Sequence, residues 1–125
     1  MRLARISLVL AALAFAGFGV ALLVRPTLLG ILGVQLPTPA AATEIRAFYG
    51  GLELGLAAFF FIASRRDAWV RPALFAQAAG MGGIVLARIA GIAVDGSAEP
   101  LVLLFGALEA SGAILGLIAL RRLRS

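Results

Sequence analysis

The chain contains no histidine, no cysteine and no lysine, and all eleven of its basic residues are arginine. Without imidazole or thiolate ligands the usual zinc and haem sites are excluded, and without lysine so is a Schiff base. The missing cysteine also removes a thiol nucleophile and any disulfide that could report on the compartment. Charge of either sign is scarce: 14% of the 125 residues are charged while 62% are hydrophobic, and the mean hydropathy is +1.08. Ordinary soluble domains carry about 25% charged residues. The composition is that of a membrane protein, with no cofactor and no metal expected.

What the chain does contain is long apolar runs. Ile6 to Val24 is uncharged over 19 residues, about 28 Å as a helix and close to the hydrocarbon thickness of a bilayer. A second run covers Thr43 to Ala63. A third covers Pro72 to Val94, opening on a proline suited to a helix start and closing at the turn-like Asp95-Gly96. The fourth extends from Pro100 to Leu120. The pattern predicts an all-α fold, an integral membrane four-helix bundle in which residues 1–125 form one transmembrane domain, with spans at 6–24, 43–63, 72–94 and 100–120. The start "MRLAR", with Ala14-Phe15-Ala16 behind it, also has the look of a cleavable secretory signal. The apolar run continues past Ala16 to Val24, which favours an uncleaved spanning helix.

Arginine placement sets an expected orientation. Arg2 and Arg5 precede the first run, Arg65, Arg66 and Arg71 separate the second from the third, and Arg121, Arg122 and Arg124 follow the fourth. The other connectors offer only Arg25, with Asp95 and Glu99. By the positive-inside rule both termini are expected in the cytoplasm, with Trp69 as an interfacial anchor. The formal net charge of +5 does not suggest nucleic acid, because the arginines flank apolar runs instead of forming one basic surface. The connector "RPTLLGILGVQLPTPAAA" (25–42) is too apolar for a solvated loop. With Pro26 as an opener it predicts a short interfacial helix between the first and second spans, and Thr38-Pro39 could start the second helix early.

Polar residues inside the runs are few, so each needs a reason. In "ATEIRAFYGGLELGL" (42–56), Arg46, Tyr49 or Gly50, and Glu53 recur at helical spacing, with Glu44 two residues before Arg46 and Gly51-x-x-x-Gly55 offering a smooth neighbouring surface. In the third run Gln77, Met81, Arg88 and Asp95 share a side; in the fourth Glu109 precedes Gly112-x-x-x-Gly116. Counted from the outer face, Arg88 lies about 9 Å deep and Glu53 and Glu109 about 15 Å. Charges at that depth cost roughly 2.5–3.5 kcal/mol each if exposed to lipid. Arg88 is therefore expected to pair with Glu53 or Glu109. The cluster Glu44, Arg46, Tyr49, Glu53, Arg88 and Glu109 is the candidate site, either as an ion-paired lock on helix register, as an outward-opening polar pocket, or as part of a subunit interface.

The string "EIRAFYGGLELGLAAFF" (44–60), followed by Arg88 and Glu109 in the third and fourth runs, resembles a family of small bacterial four-helix membrane proteins of unknown function, with a signature like N-E-x-R-A-x-Y-G-G-L. Thr43 stands where asparagine is common, and the likeness extends over about residues 5–120. The architecture is more distantly similar to DoxX-like membrane proteins, in topology alone. The resemblance implies the fold and a bacterial inner-membrane location, and brings no activity with it.

Three classes of function follow. The chain is read first as a non-enzymatic membrane protein or accessory subunit that acts through helix packing, with the lipid bilayer and its own copies or a larger membrane complex as partners. The alternative is a binder or carrier of a small lipophilic or anionic ligand held by Arg46 and Arg88. An enzyme would have to rest on Glu53 or Glu109 as acid or base, and no nucleophile motif accompanies either.

Overall fold

Four helices account for nearly all of the chain, and each is long and apolar enough to cross a membrane: α1 (Arg2–Val24), α2 (Pro39–Ser64), α3 (Asp67–Asp95) and α4 (Pro100–Arg122). The computed structural model describes residues 1–96 and 98–124, and no strand occurs among them. The all-α class and the four membrane-length helices expected from the apolar runs are what the structure contains, and the chain is a small multi-pass membrane protein.

Helix boundaries depart from the hydropathy limits for local chemical reasons. α2 begins at Pro39, the early start that Thr38-Pro39 allows in the sequence, instead of Thr43: Thr38 caps it through Oγ1, which accepts from the Ala41 N–H at 3.1 Å, and Pro39 fills the first helical position, where no N–H is needed. α3 begins at Asp67 instead of Pro72, and the acidic residue in its first turn complements the helix dipole. Pro72 therefore lies inside the helix, in its second turn, where it removes one backbone hydrogen bond. The expected helix after Arg25 is present as a 3-10 helix (Pro26–Leu32). It ends at Gly33, whose φ of 84° lies in the left-handed region that only glycine enters without strain, and whose N–H satisfies the Gly30 and Leu29 carbonyls.

Packing divides the chain into two compact units, Met1–Leu8 with Ala63–Ser125, and Val9–Ile62. In the first, α3 and α4 pack as a helical hairpin. Val70, Ala73, Leu74, Gln77, Ala78 and Met81 are its buried positions on α3, the i, i+3/i+4, i+7 stripe of a one-sided helix. Ala113, Gly116, Ala119 and Leu120 are their counterparts on α4. The opposite faces carry exposed large apolar side chains such as Phe75, Leu86, Ile89, Leu104 and Ile114. Water would penalise that surface; hydrocarbon does not.

In the second unit α1 and α2 meet at glycines. A Cβ on Gly50 would come within 2.9 Å of Leu23 Cβ and 3.0 Å of Leu23 Cα, and one on Gly19 within 3.1 Å of the Gly50 carbonyl oxygen. The close crossing thus uses Gly19 and Gly50 and not the expected Gly51 and Gly55: nothing lies within 4 Å of a Cβ at Gly55. Phe60, fully buried, stacks against Phe15 with ring centroids 5.7 Å apart.

Candidate functional site

Arg88 and Glu109 form a two-pronged pair between α3 and α4. Arg88 Nε donates to Glu109 Oε2 at 2.9 Å and one terminal nitrogen donates to Oε1 at 2.7 Å, a fork-to-fork geometry stronger and more directional than a single contact. The side chains keep only 25% and 23% of their surface exposed. Room for the arginine stem comes from Gly106, where a Cβ would stand 3.2 Å from Arg88 Cδ. The expected pairing of Arg88 with a carboxylate on a neighbouring helix is made by Glu109. Both carboxylate oxygens accept from the arginine, which ties α3 to α4.

The α2 residues belong to the other unit, and a π-helical turn (Arg46–Gly51) changes their register. The Leu52 N–H reaches back five residues to the Ala47 carbonyl, widening the helix by one residue. The simple helical spacing that put Arg46, Tyr49 or Gly50, and Glu53 on one seam therefore does not hold. Gly50 is buried against Leu23, Tyr49 is 46% exposed, Glu44 is exposed and Glu53 is half-buried. Arg46 donates to the main-chain oxygen of Leu23 and, at 3.4 Å, to that of Val24. These are among the last carbonyls of α1, which have no partner in their own helix. A cation there also opposes the negative end of the helix dipole. Arg46 is a helix cap.

A third polar group lies outside the candidate cluster read from the sequence. Gln77 is 1% exposed and joins three helices: its Nε2 donates to Ser7 Oγ and to the Gly112 carbonyl, each at 2.9 Å, and Ser7 Oγ lies 3.1 Å from Gln77 Oε1. Gln77 is visible in the sequence as a polar residue on the Arg88 side of its helix. Ser7 carries no signal, since a serine in an apolar helix more often returns its hydroxyl to its own backbone, as Ser111 does to the Ala107 carbonyl at 2.7 Å.

The arrangement supplies ties, caps and close helix approach. Among the described residues no group of three or more histidine, cysteine, aspartate or glutamate side chains lies close enough to hold a metal ion. Neither the curated proteins nor the solved structures contain a match to this chain. A family model does: the match spans residues 3–120, and the chain belongs to the family described as Domain of unknown function (DUF4345).

Proposed function

We propose that the chain is a non-enzymatic accessory subunit of the bacterial inner membrane, working through the packing of α2 against another membrane helix, from its own copy or from a larger complex. One observation carries the reading. Gln77, Arg88 and Glu109 are engaged inside the fold and the exposed Arg46 is held by α1 carbonyls, whereas Glu44, Phe48 and Tyr49 are left outward around the π-helical turn of α2. Exposed polar and aromatic side chains on a spanning helix are the type that find partners on another helix.

The absence of cysteine makes the test direct. Phe48, 62% exposed, is replaced by cysteine, and the membranes are treated with a short thiol cross-linker, with Val70→Cys, fully buried, as the control. A cross-linked dimer or a discrete heavier adduct from position 48 and none from position 70 is expected. Equal, diffuse labelling at both positions, or single copies throughout in native mass spectrometry from membranes, overturns the reading.

The π-helical turn favours a second reading, because such turns recur at ligand sites. The chain would then bind or carry a small lipophilic or anionic molecule beside Arg46 and Tyr49. A small molecule that co-purifies with the wild type and is lost in Tyr49→Ala would support it over the first.

A further inference from the structure

Eight of the nine arginines outside the helix middles, all but Arg25, belong to the first unit. Arg5 pairs with Asp67, which places the start of α1 beside the start of α3. Leu120 and Arg124 share a groove with Arg71 and Pro72, which places the end of α4 at the same level. Asp67 is the sole carboxylate among these residues, and Arg5 already holds it. Arg66 lies over the Trp69 ring at 5.3 Å, the aromatic-and-cation pairing typical of the headgroup level of a bilayer.

The groove itself has two kinds of wall. It measures about 340 Å³ and is lined by Arg71, Pro72, Phe75, Leu120 and Arg124. Arg71 and Arg124 are the charged residues of that lining, and neither has an acidic partner among the described residues. Phe75, 66% exposed, and Leu120, 8% exposed, provide the apolar part of the lining, with Phe75 directed away from the core of its own helix hairpin. Two arginines without an acidic partner and an apolar lining in one groove, at the end of two membrane-length helices, match one kind of molecule: a group with a phosphate at one end and hydrocarbon at the other. A free phosphate would leave the apolar lining uncovered, and a neutral lipid would leave the arginines without a counter-charge. Arginine forks suit phosphate oxygens, and basic pockets between spanning helices bind anionic headgroups by this chemistry.

We propose that this groove is a binding site for an anionic phospholipid, with Arg71 and Arg124 on the phosphodiester and Phe75 and Leu120 against the first part of the acyl chain. The site requires only that α3 and α4 span a bilayer, and it is independent of what α2 packs against.

The test uses the full chain in nanodiscs of phosphatidylcholine with increasing phosphatidylglycerol, counting retained lipids by native mass spectrometry. Wild type is expected to retain phosphatidylglycerol in preference to phosphatidylcholine. The double variant Arg71→Gln/Arg124→Gln is expected to lower that preference about 100-fold, since each charge-assisted hydrogen bond to the phosphate contributes about tenfold or more. Arg2→Gln/Arg122→Gln removes the same charge outside the groove and is expected to leave most of the preference in place. Phe75→Ala, at an exposed position that the helix tolerates, should weaken retention with no change in charge. Equal losses in the two arginine doubles would mean general attraction to a charged surface and would overturn the site. So would equal retention of the two lipids by wild type, or complete displacement of the lipid by inorganic phosphate, which would make the groove an anion site without a lipid. Unchanged helical circular dichroism in each variant separates loss of the site from loss of the fold.

Discussion

At the scale of single residues, the chain uses arginine in three different ways, and the difference lies in what each guanidinium meets. Arg46 meets orphan carbonyls, Arg88 meets a carboxylate, and Arg71 and Arg124 meet neither among the described residues. The Arg88 pair gives the sharpest stability test. Deleting Arg88 leaves a charged, mostly enclosed Glu109, which costs about 3 kcal/mol, whereas deleting both leaves an apolar gap that lipid-facing helices repack with little loss. Arg88→Met and Glu109→Leu should therefore each destabilise strongly, and the double variant by much less than their sum, with a coupling of about 3 kcal/mol or more. Unfolding in mixed micelles measures all three, and strict additivity would show that the fork contributes nothing. The sequence narrowed the partner of Arg88 to Glu53 or Glu109, because an arginine stem inside a membrane has few carboxylates within reach, and the choice of Glu109 lies in how α3 packs on α4. The Ser7–Gln77 link was not legible, because an uncharged hydroxyl near a helix end has many options.

At the scale of elements, the hydropathy runs were enough to count the helices but not to phase them. The start of α2 is decided by the Thr38 cap and the start of α3 by Asp67, and both are chemical signals that a hydropathy boundary overlooks. The π-helical turn was illegible for a deeper reason: the register is settled by Gly50 lying on the Leu23 backbone, a contact between elements about which local periodicity carries no information. The same contact yields an ordering of glycine substitutions. Gly50→Ala forces a methyl to 3.0 Å from Leu23 Cα, and backbone cannot move aside, so a loss of about 1–3 kcal/mol is expected. Gly112→Ala runs into Met81 Sδ, but the methionine side chain is flexible and can turn away, so the loss should be smaller. Gly55→Ala, facing open space, should be neutral or slightly stabilising through helix propensity. Thermal or detergent unfolding of the three single variants gives the order. A larger loss at Gly55 than at Gly50 would return the α1–α2 crossing to the Gly51-x-x-x-Gly55 face read from the sequence.

At the scale of the whole molecule, the asymmetry that organises everything else is the arginine count at the two ends of the spans. Arg2, Arg5, Arg65, Arg66, Arg71, Arg121, Arg122 and Arg124 flank one set of helix ends, and Arg25 alone stands in the opposite connectors beside Asp95 and Glu99. α3 is 29 residues long, so these two ends are separated by about 43 Å, more than a hydrocarbon core. Short connectors near span ends are the ones whose arginines resist translocation, so the eight-residue cluster is expected to stay on the cytoplasmic side and carry both termini with it. A fluorescent reporter that matures only in the cytoplasm should be bright when fused after Ser125, and a phosphatase active only outside the cytoplasm should work when inserted between Asp95 and Glu99. Replacing Arg2 and Arg5 by glutamine leaves six arginines on the same side, so the orientation should survive that change, whereas replacing Arg65, Arg66 and Arg71 as well should produce a mixed population. An active phosphatase at the C-terminus of the unaltered chain would invert the assignment and move the phospholipid groove to the outer leaflet with it.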